Sequence, residues 1–181
     1  GGISNLGTAT ITRSSIFSNS ARYGGGLHQL AGAMAIENVT VSSNTASSEG
    51  GGIDVAAGSL TVRFSTIAAN TASGGNGGGA IVRGGTLTIG SSIFADNNSA
   101  SGGRDLHGTV TSLGYNVIEH NAGFTGTVAT DQLGTDPALA ALAQGLRRWP
   151  GPLGGEALAR SQATVYLSDV GPELRQERVN L

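Results

Sequence analysis

Residues 1–104 carry four carboxylates, Glu37, Glu49, Asp54 and Asp96, and the whole chain has three histidines, His28, His107 and His120. Two such acids flanking one bond could cleave a glycoside, and several converging with carbonyl oxygens could hold calcium. Neither set emerges here. Glu49 and Asp96 fall beside turns, and no two of the four acids occupy the same position of the repeat described below. The histidines lack metal-ligand spacing of the HExxH kind. GGNGGG at Gly74–Gly79 is followed by no Lys-Ser/Thr, which a phosphate loop needs. GGID at Gly51–Asp54 lacks the intervening glycine of a calcium-binding nonapeptide. Asn38-Val39-Thr40 and Asn97-Asn98-Ser99 fit a glycosylation sequon, and we read them as turn and strand chemistry. The absence of cysteine excludes disulfides and thiolate metal sites. All ten basic residues are arginine, and with a net charge of −2 they leave no basic footprint for nucleic acid. No catalytic residue, metal ligand or cofactor is nominated.

What must position these groups is a repeat. Aligned on asparagine, the copies end at Asn19, Asn44, Asn70, Asn97 and, more weakly, Asn121, at intervals of 25, 26, 27 and 24 residues. The unit is best seen in Gly50–Asn76: glycines, an apolar residue, an alternating apolar and small-polar run, then asparagine. Length varies only after the asparagine, where SARY, TASSE and TASGGN precede the next glycines. Apolar columns follow. Ile16, Val41, Ile67, Phe94 and Ile118 lie three before the asparagine. Ile11, Ile36, Val62, Ile89 and Leu113 lie eight before, and Ala9, Met34, Leu60, Leu87 and Thr111 ten before. Ile3, Leu27, Ile53 and Ala80 follow the glycines. Thr10, Ala35, Thr61 and Thr88 fall between two of these columns and should point the other way. Gly7, Gly32, Gly58 and Gly85 form a column suited to a corner with positive φ or close backbone approach.

A period of two within a repeat rich in Gly, Ser, Thr and Asn argues against helices, and the copies lack the leucines of leucine-rich repeats. The pattern predicts an all-β parallel β-helix of about five rungs, each hydrogen-bonded to the next. Like residues then stack. Asn19, Asn44, Asn70 and Asn97 are expected to form a structural amide ladder in or beside a turn. Two charged columns become neighbours: Glu37 with Arg63, and His28 with Asp54 in the outward column Ser4, His28, Asp54, Ile81. One reading is a polar face that binds a sugar chain. The plainer reading is two exposed cross-rung pairs worth about 0 to 1 kcal/mol each.

The fourth copy contains GGAI at Gly78–Ile81 and FADN at Phe94–Asn97, which resemble the GGA(I/L/V) and FxxN repeats of polymorphic outer-membrane proteins. The other copies carry the degenerate forms GGIS, GGLH, GGID and IFSN, VSSN, IAAN. Residues 85–143, with DLHGTVTSLGYNVI at Asp105–Ile118 and DPAL at Asp136–Leu139, are similar to the last rungs of β-helix proteins from bacterial cell surfaces, which often carry a C-terminal anchoring module. This resemblance implies a right-handed, single-stranded, pectate-lyase-like helix in a secreted or cell-surface setting.

The chain is expected to divide into rungs at residues 1–125, an end-capping segment at 126–145 and a poorly ordered or atypical tail at 146–181. Asp136 with Pro137 should open a short helix running to Ala143. The tail holds five of the ten arginines and no rung motif, so it departs from the pattern before it. Residue 1 falls inside the pattern, so the chain is expected to be a fragment whose neighbours include its own preceding polypeptide. No stretch is long and apolar enough to span a membrane. Two functions are expected from this reading. The first is a noncatalytic adhesin or glycan-contacting scaffold with host or cell-surface polysaccharide as partner. The second is a polysaccharide lyase or glycoside hydrolase whose active site lies in rungs outside these residues.

Overall fold

The computed structural model describes residues 1–139. The first turn holds β1 (Ile3–Asn5), β2 (Thr8–Phe17) and β3 (Ser20–Tyr23), and the second holds β4 (Leu27–Gln29), β5 (Ala33–Ser42) and β6 (Thr45–Glu49). The third has β7 (Ile53–Val55), β8 (Ser59–Arg63), β9 (Thr66–Ala68) and β10 (Thr71–Ala72). The fourth has β11 (Ala80–Val82), β12 (Thr86–Gly90), β13 (Ile93–Ala95) and β14 (Asn98–Ser99). In the fifth, β15 (Leu106–Ser112) and β16 (Val117–Ile118) continue the stack, and β17 (Phe124–Thr125) and β18 (Gln132–Leu133) begin another layer. Every pairing is parallel and joins a strand to its equivalent one turn away: β1 to β4, β4 to β7, β7 to β11, β11 to β15. The chain is a parallel β-helix.

Sheet and corner chemistry follow from the repeat. The long strands β2 and β5 each bend once, and in later turns the same bend splits them into separate strands. In the second and third turns each corner carries one residue with positive φ: Gly24, Gly32, Asn38 and Ser43 in the second, and Gly50, Gly58, Phe64 and Ala69 in the third. Of the glycine column expected at corners, Gly32 and Gly58 have φ near +70°. Gly85 serves by close approach instead, since a Cβ there would meet the Gly58 carbonyl oxygen at 2.7 Å.

The apolar columns fill the interior. Leu27, Ile53, Ala80 and Leu106 stack in one file, Met34, Leu60 and Leu87 in a second, Ile36, Val62 and Ile89 in a third, and Val41, Ile67, Phe94 and Ile118 in a fourth. Thr61 and Thr88 lie between the second and third files and are partly exposed.

The fifth copy departs from the expected register. Leu87 pairs with Val110 and Ile89 with Ser112, so Val110 and Ser112 take the inner positions, while Thr111 is exposed and Leu113 is 51% exposed. Ile118 nevertheless pairs with Phe94 as aligned. From Ile89 to Phe94 is five residues and from Ser112 to Ile118 is six, so this corner holds one extra residue. The extra residue pushes Leu113 out against Gly90, where a Cβ would lie 3.1 Å from the leucine Cβ.

At the far end, Ala138 N–H donates to Asp136 Oδ1 at 2.6 Å, but Ala138 has a φ of 53°, so the contact is a local Asx turn and the helix expected to open at Asp136 and Pro137 does not begin there. The remainder of the expected capping helix and the tail at 146–181 lie outside the described residues.

Candidate functional site

The asparagines three residues beyond the fourth apolar file form a continuous amide ladder. Asn19 Nδ2 donates to Asn44 Oδ1, Asn44 Nδ2 to Asn70 Oδ1 and Asn70 Nδ2 to Asn97 Oδ1, each at 3.0 Å. The same oxygens accept the backbone N–H of the preceding asparagine. Each amide from Asn44 onward also donates to the carbonyl of the inward residue of the turn before: Ile16, Val41 or Ile67. Asn44 and Asn70 are fully buried, so every polar atom there needs the partner that it has. The ladder does not run on to Asn121, which is exposed. Asn97 Nδ2 instead donates to Asp105 Oδ1 at 2.9 Å.

A second file of polar groups lines the bend between the two long faces, and the repeat did not reveal it. Val39 N–H donates to Ser65 Oγ, Ser65 N–H to Ser92 Oγ, Ser92 N–H to Asn116 Oδ1 and Asn116 N–H to Asp131 Oδ1. Burial pushes the Asp131 carboxyl up, but donors from Val128, Ser112 and Asn116 outweigh it and hold the group below the ordinary aspartate value.

His28 and Asp54 meet as register partners, with His28 Nε2 3.1 Å from Asp54 Oδ2 but not aligned as a hydrogen bond. They are not the exposed pair that an outward column suggests: Asp54 and Ile81 of that column are buried. The cause is the glycine corner before each turn. Gly50 and Gly77, with φ of 67° and 68°, fold the chain back so tightly that an added Cβ would stand 2.8 Å from Asp54 Cβ and 2.6 Å from Ile81 Cβ. Under this roof Asp54 is held by a residue that the columns did not point to. Arg83 Nε donates to Asp54 Oδ1 at 3.0 Å, and its Nη2 donates to Oδ2. The guanidinium also lies 4.5 Å from the Tyr23 ring centroid, with Glu49 Oε2 3.9 Å from Nε. The hydrogen bonds to Asp54 raise the Arg83 pKa, and burial opposes them. An open cavity of about 300 Å³ beside the group is lined by Ser4, Arg22, Tyr23 and His28.

Removing one partner of a buried ion pair costs about 3 to 5 kcal/mol. The Arg83 side chain is 33% exposed, so water can take over part of its role. We expect Arg83→Ala to lower stability by about 2 kcal/mol, and Arg83→Ala with Asp54→Asn to recover part of that loss. Equal urea midpoints for Arg83→Ala and the wild type would remove Asp54 from the structural role assigned to it.

The third cluster closes the ladder. Asp105 is buried; its Oδ2 accepts the His120 backbone N–H at 2.7 Å and lies 3.2 Å from His120 Nδ1. Glu119 Oε2 is 3.6 Å from the same ring nitrogen and accepts Asp96 N–H at 2.7 Å. Arg104 Nη1 stands 3.2 Å from His120 Nε2. Burial raises the Asp105 pKa, against donors from Asn97 and His120, and burial with the nearby Glu119 charge raises Asp96. The Asp105, Glu119 and His120 ligand atoms lie within 4.8 Å of one another, close enough to surround a cation. Both Asp105 oxygens already accept hydrogen bonds, however, so the cluster as built serves as a cap.

Glu37 and Arg63 are register partners and both exposed, but among the described residues they form no ion pair. Solvent competes for each charge, and the corner that follows places Phe64 within reach, so the Arg63 guanidinium lies 5.2 Å from the Phe64 ring centroid instead. Of the four candidate binding residues, the fold therefore unites His28 with Asp54 and leaves Glu37 and Arg63 as unlinked neighbours. Arg83, Tyr23 and Asp105 went unnoticed because they act between non-equivalent positions of different turns. A charge 29 residues beyond Asp54, close to one repeat, was the available signal for Arg83. The chain matches no protein-family model, no curated protein and no solved structure.

Proposed function

We propose that this chain is a noncatalytic part of a right-handed β-helix protein of the bacterial surface, an adhesin stalk or glycan-contacting scaffold. The observation that carries this reading is how the buried carboxylates are used. Asp54 and Asp105 each have both oxygens engaged by groups of neighbouring segments. A general acid or nucleophile in sugar cleavage must present an oxygen to the scissile bond, with a second carboxylate across from it. These two instead tie one turn to the next. The exposed long face offers Thr10, Thr61, Thr88 and Thr111, whose hydroxyls can donate to and accept from sugar without chemistry. The handedness and the surface setting rest on the GGAI and FADN resemblance.

Incubation of the purified chain with polygalacturonate, alginate and other bacterial and plant glycans, with and without calcium, is expected to release no unsaturated or reducing ends. Turnover that vanishes in Asp54→Ala or Glu37→Ala would overturn the scaffold reading and favour a polysaccharide lyase or hydrolase.

A further inference from the structure

One corner of the helix carries a ridge that the fold itself does not use. Its residues with positive φ are Arg13, Asn38, Phe64 and Ser91, one in each of the first four turns, and Gly114 with Tyr115 in the fifth, where the corner is one residue longer. An L-residue pays for this conformation, asparagine least among non-glycines, and a bulky side chain there is an outlier whose cause should be sought in function. Asn38 shows that the corner accepts the easy residue. Phe64 and Tyr115 nevertheless occupy it at φ of 49° and 59°, and their side chains do not repay the strain by burial: the residues are 44% and 70% exposed.

The neighbourhood adds polar reach. Arg63 is stacked on Phe64 and is free of Glu37. Gly90, in register with Arg63, leaves a gap against which Leu113 lies. Backbone bonds from Phe64 N–H to Gly90 O and from Ser91 N–H to Gly114 O hold successive corners in line. The two rings are therefore fixed two turns apart, about 9.6 Å along the axis at the inter-strand spacing.

We propose that the ridge of Arg63, Phe64, Leu113 and Tyr115 binds a linear acidic polysaccharide running along the helix axis. The proposal rests on the glycan-contacting reading above and assigns it a place. Pyranose rings present flat C–H faces that pack on aromatic π-faces, and a linear sugar chain can meet two rings held at one fixed separation. The apolar groups are separated by Ser91 and Gly90 rather than merged into the continuous patch that a protein partner would bury. Arg13 and Arg63 outnumber Glu37 on this edge, so carboxylated sugars are favoured over neutral ones, while the whole chain is net negative.

The test uses the 181-residue chain on immobilised polygalacturonate, alginate and dextran, with Phe64→Asn, Tyr115→Asn, the double variant and Arg63→Gln. Asparagine adopts this backbone more readily, so the aromatic replacements should melt at or above the wild-type temperature. The wild type should bind at least one acidic polymer more tightly than dextran. Each aromatic replacement should weaken this by roughly tenfold, the scale of one stacked ring, and Arg63→Gln should erase the preference for acid. Binding that persists in the double variant overturns the ridge and leaves the scaffold reading standing. Absence of wild-type binding to any of the three polymers also overturns it. Self-association that the same variants abolish would give the ridge to a second copy instead. Released sugar ends would overturn the scaffold reading but leave the ridge as a binding surface.

Discussion

Replacing Asn70 with alanine is expected to lower stability by about 4 kcal/mol. The Asn70 side chain accepts from the Asn44 backbone and amide N–H groups and donates to Val41 O and Asn97 Oδ1. Alanine keeps the backbone bond to Asn97 but leaves the Asn44 N–H, one Asn44 amide hydrogen and the Val41 carbonyl without this partner, all in buried residues. A buried polar group without a partner costs about 1 to 3 kcal/mol, and three such groups, with some relief from water, give the stated figure. Asn98, which directly follows the ladder's Asn97, is exposed, so Asn98→Ala should stay within about 0.5 kcal/mol. Urea melts of the two variants decide the matter. Similar midpoints would mean that the amide ladder contributes nothing to the folded state.

The second large effect lies in the apolar interior. Ile67 stacks between Val41 and Phe94 and is fully buried, and Ile67→Ala should cost about 2 to 5 kcal/mol. The upper part of that range is favoured because the backbone of the site is pinned on both sides, by strand pairing and by the Asn97 amide on the Ile67 carbonyl, so the cavity cannot collapse freely. Thr61, on the other side of its strand, should lose no more than about 0.5 kcal/mol on change to alanine. Equal shifts for the two variants would invert the assignment of inside and outside.

The interior was legible because stacking brings like residues together: whatever recurs in register touches its own copy. Leu27, Ile53 and Ala80 needed nothing more than alignment, and so did the four ladder asparagines. Legibility failed wherever contact joined unlike positions. The burial of Asp54 depends on how far the Gly50 corner folds back, which residue identity suggests but does not measure. Arg83 reaches across from the next turn to a different column. The fifth copy misled for another reason. Aligning on Asn121 absorbed the extra corner residue silently, and Leu113 was placed inside when Ser112 occupies that site. Asp105 was hidden for a different reason: it lies eight residues beyond Asn97, upstream of the apolar file rather than in the asparagine column.

The amide ladder has a direction, and the direction limits what can be copied. From side chain to side chain, each asparagine donates one amide hydrogen forward and accepts from behind, so a turn duplicated anywhere between Asn19 and Asn97 finds both a donor before it and an acceptor after it. Asp105 accepts at both carboxylate oxygens, from Asn97 on one side and His120 on the other, and passes nothing on. A carboxylate in place of an amide, one oxygen where nitrogen would stand, thus acts as a stop signal for a unit that is otherwise free to multiply. Lineages that lengthen such a protein by repeat duplication would have to insert the new turns ahead of Asp105, never behind it.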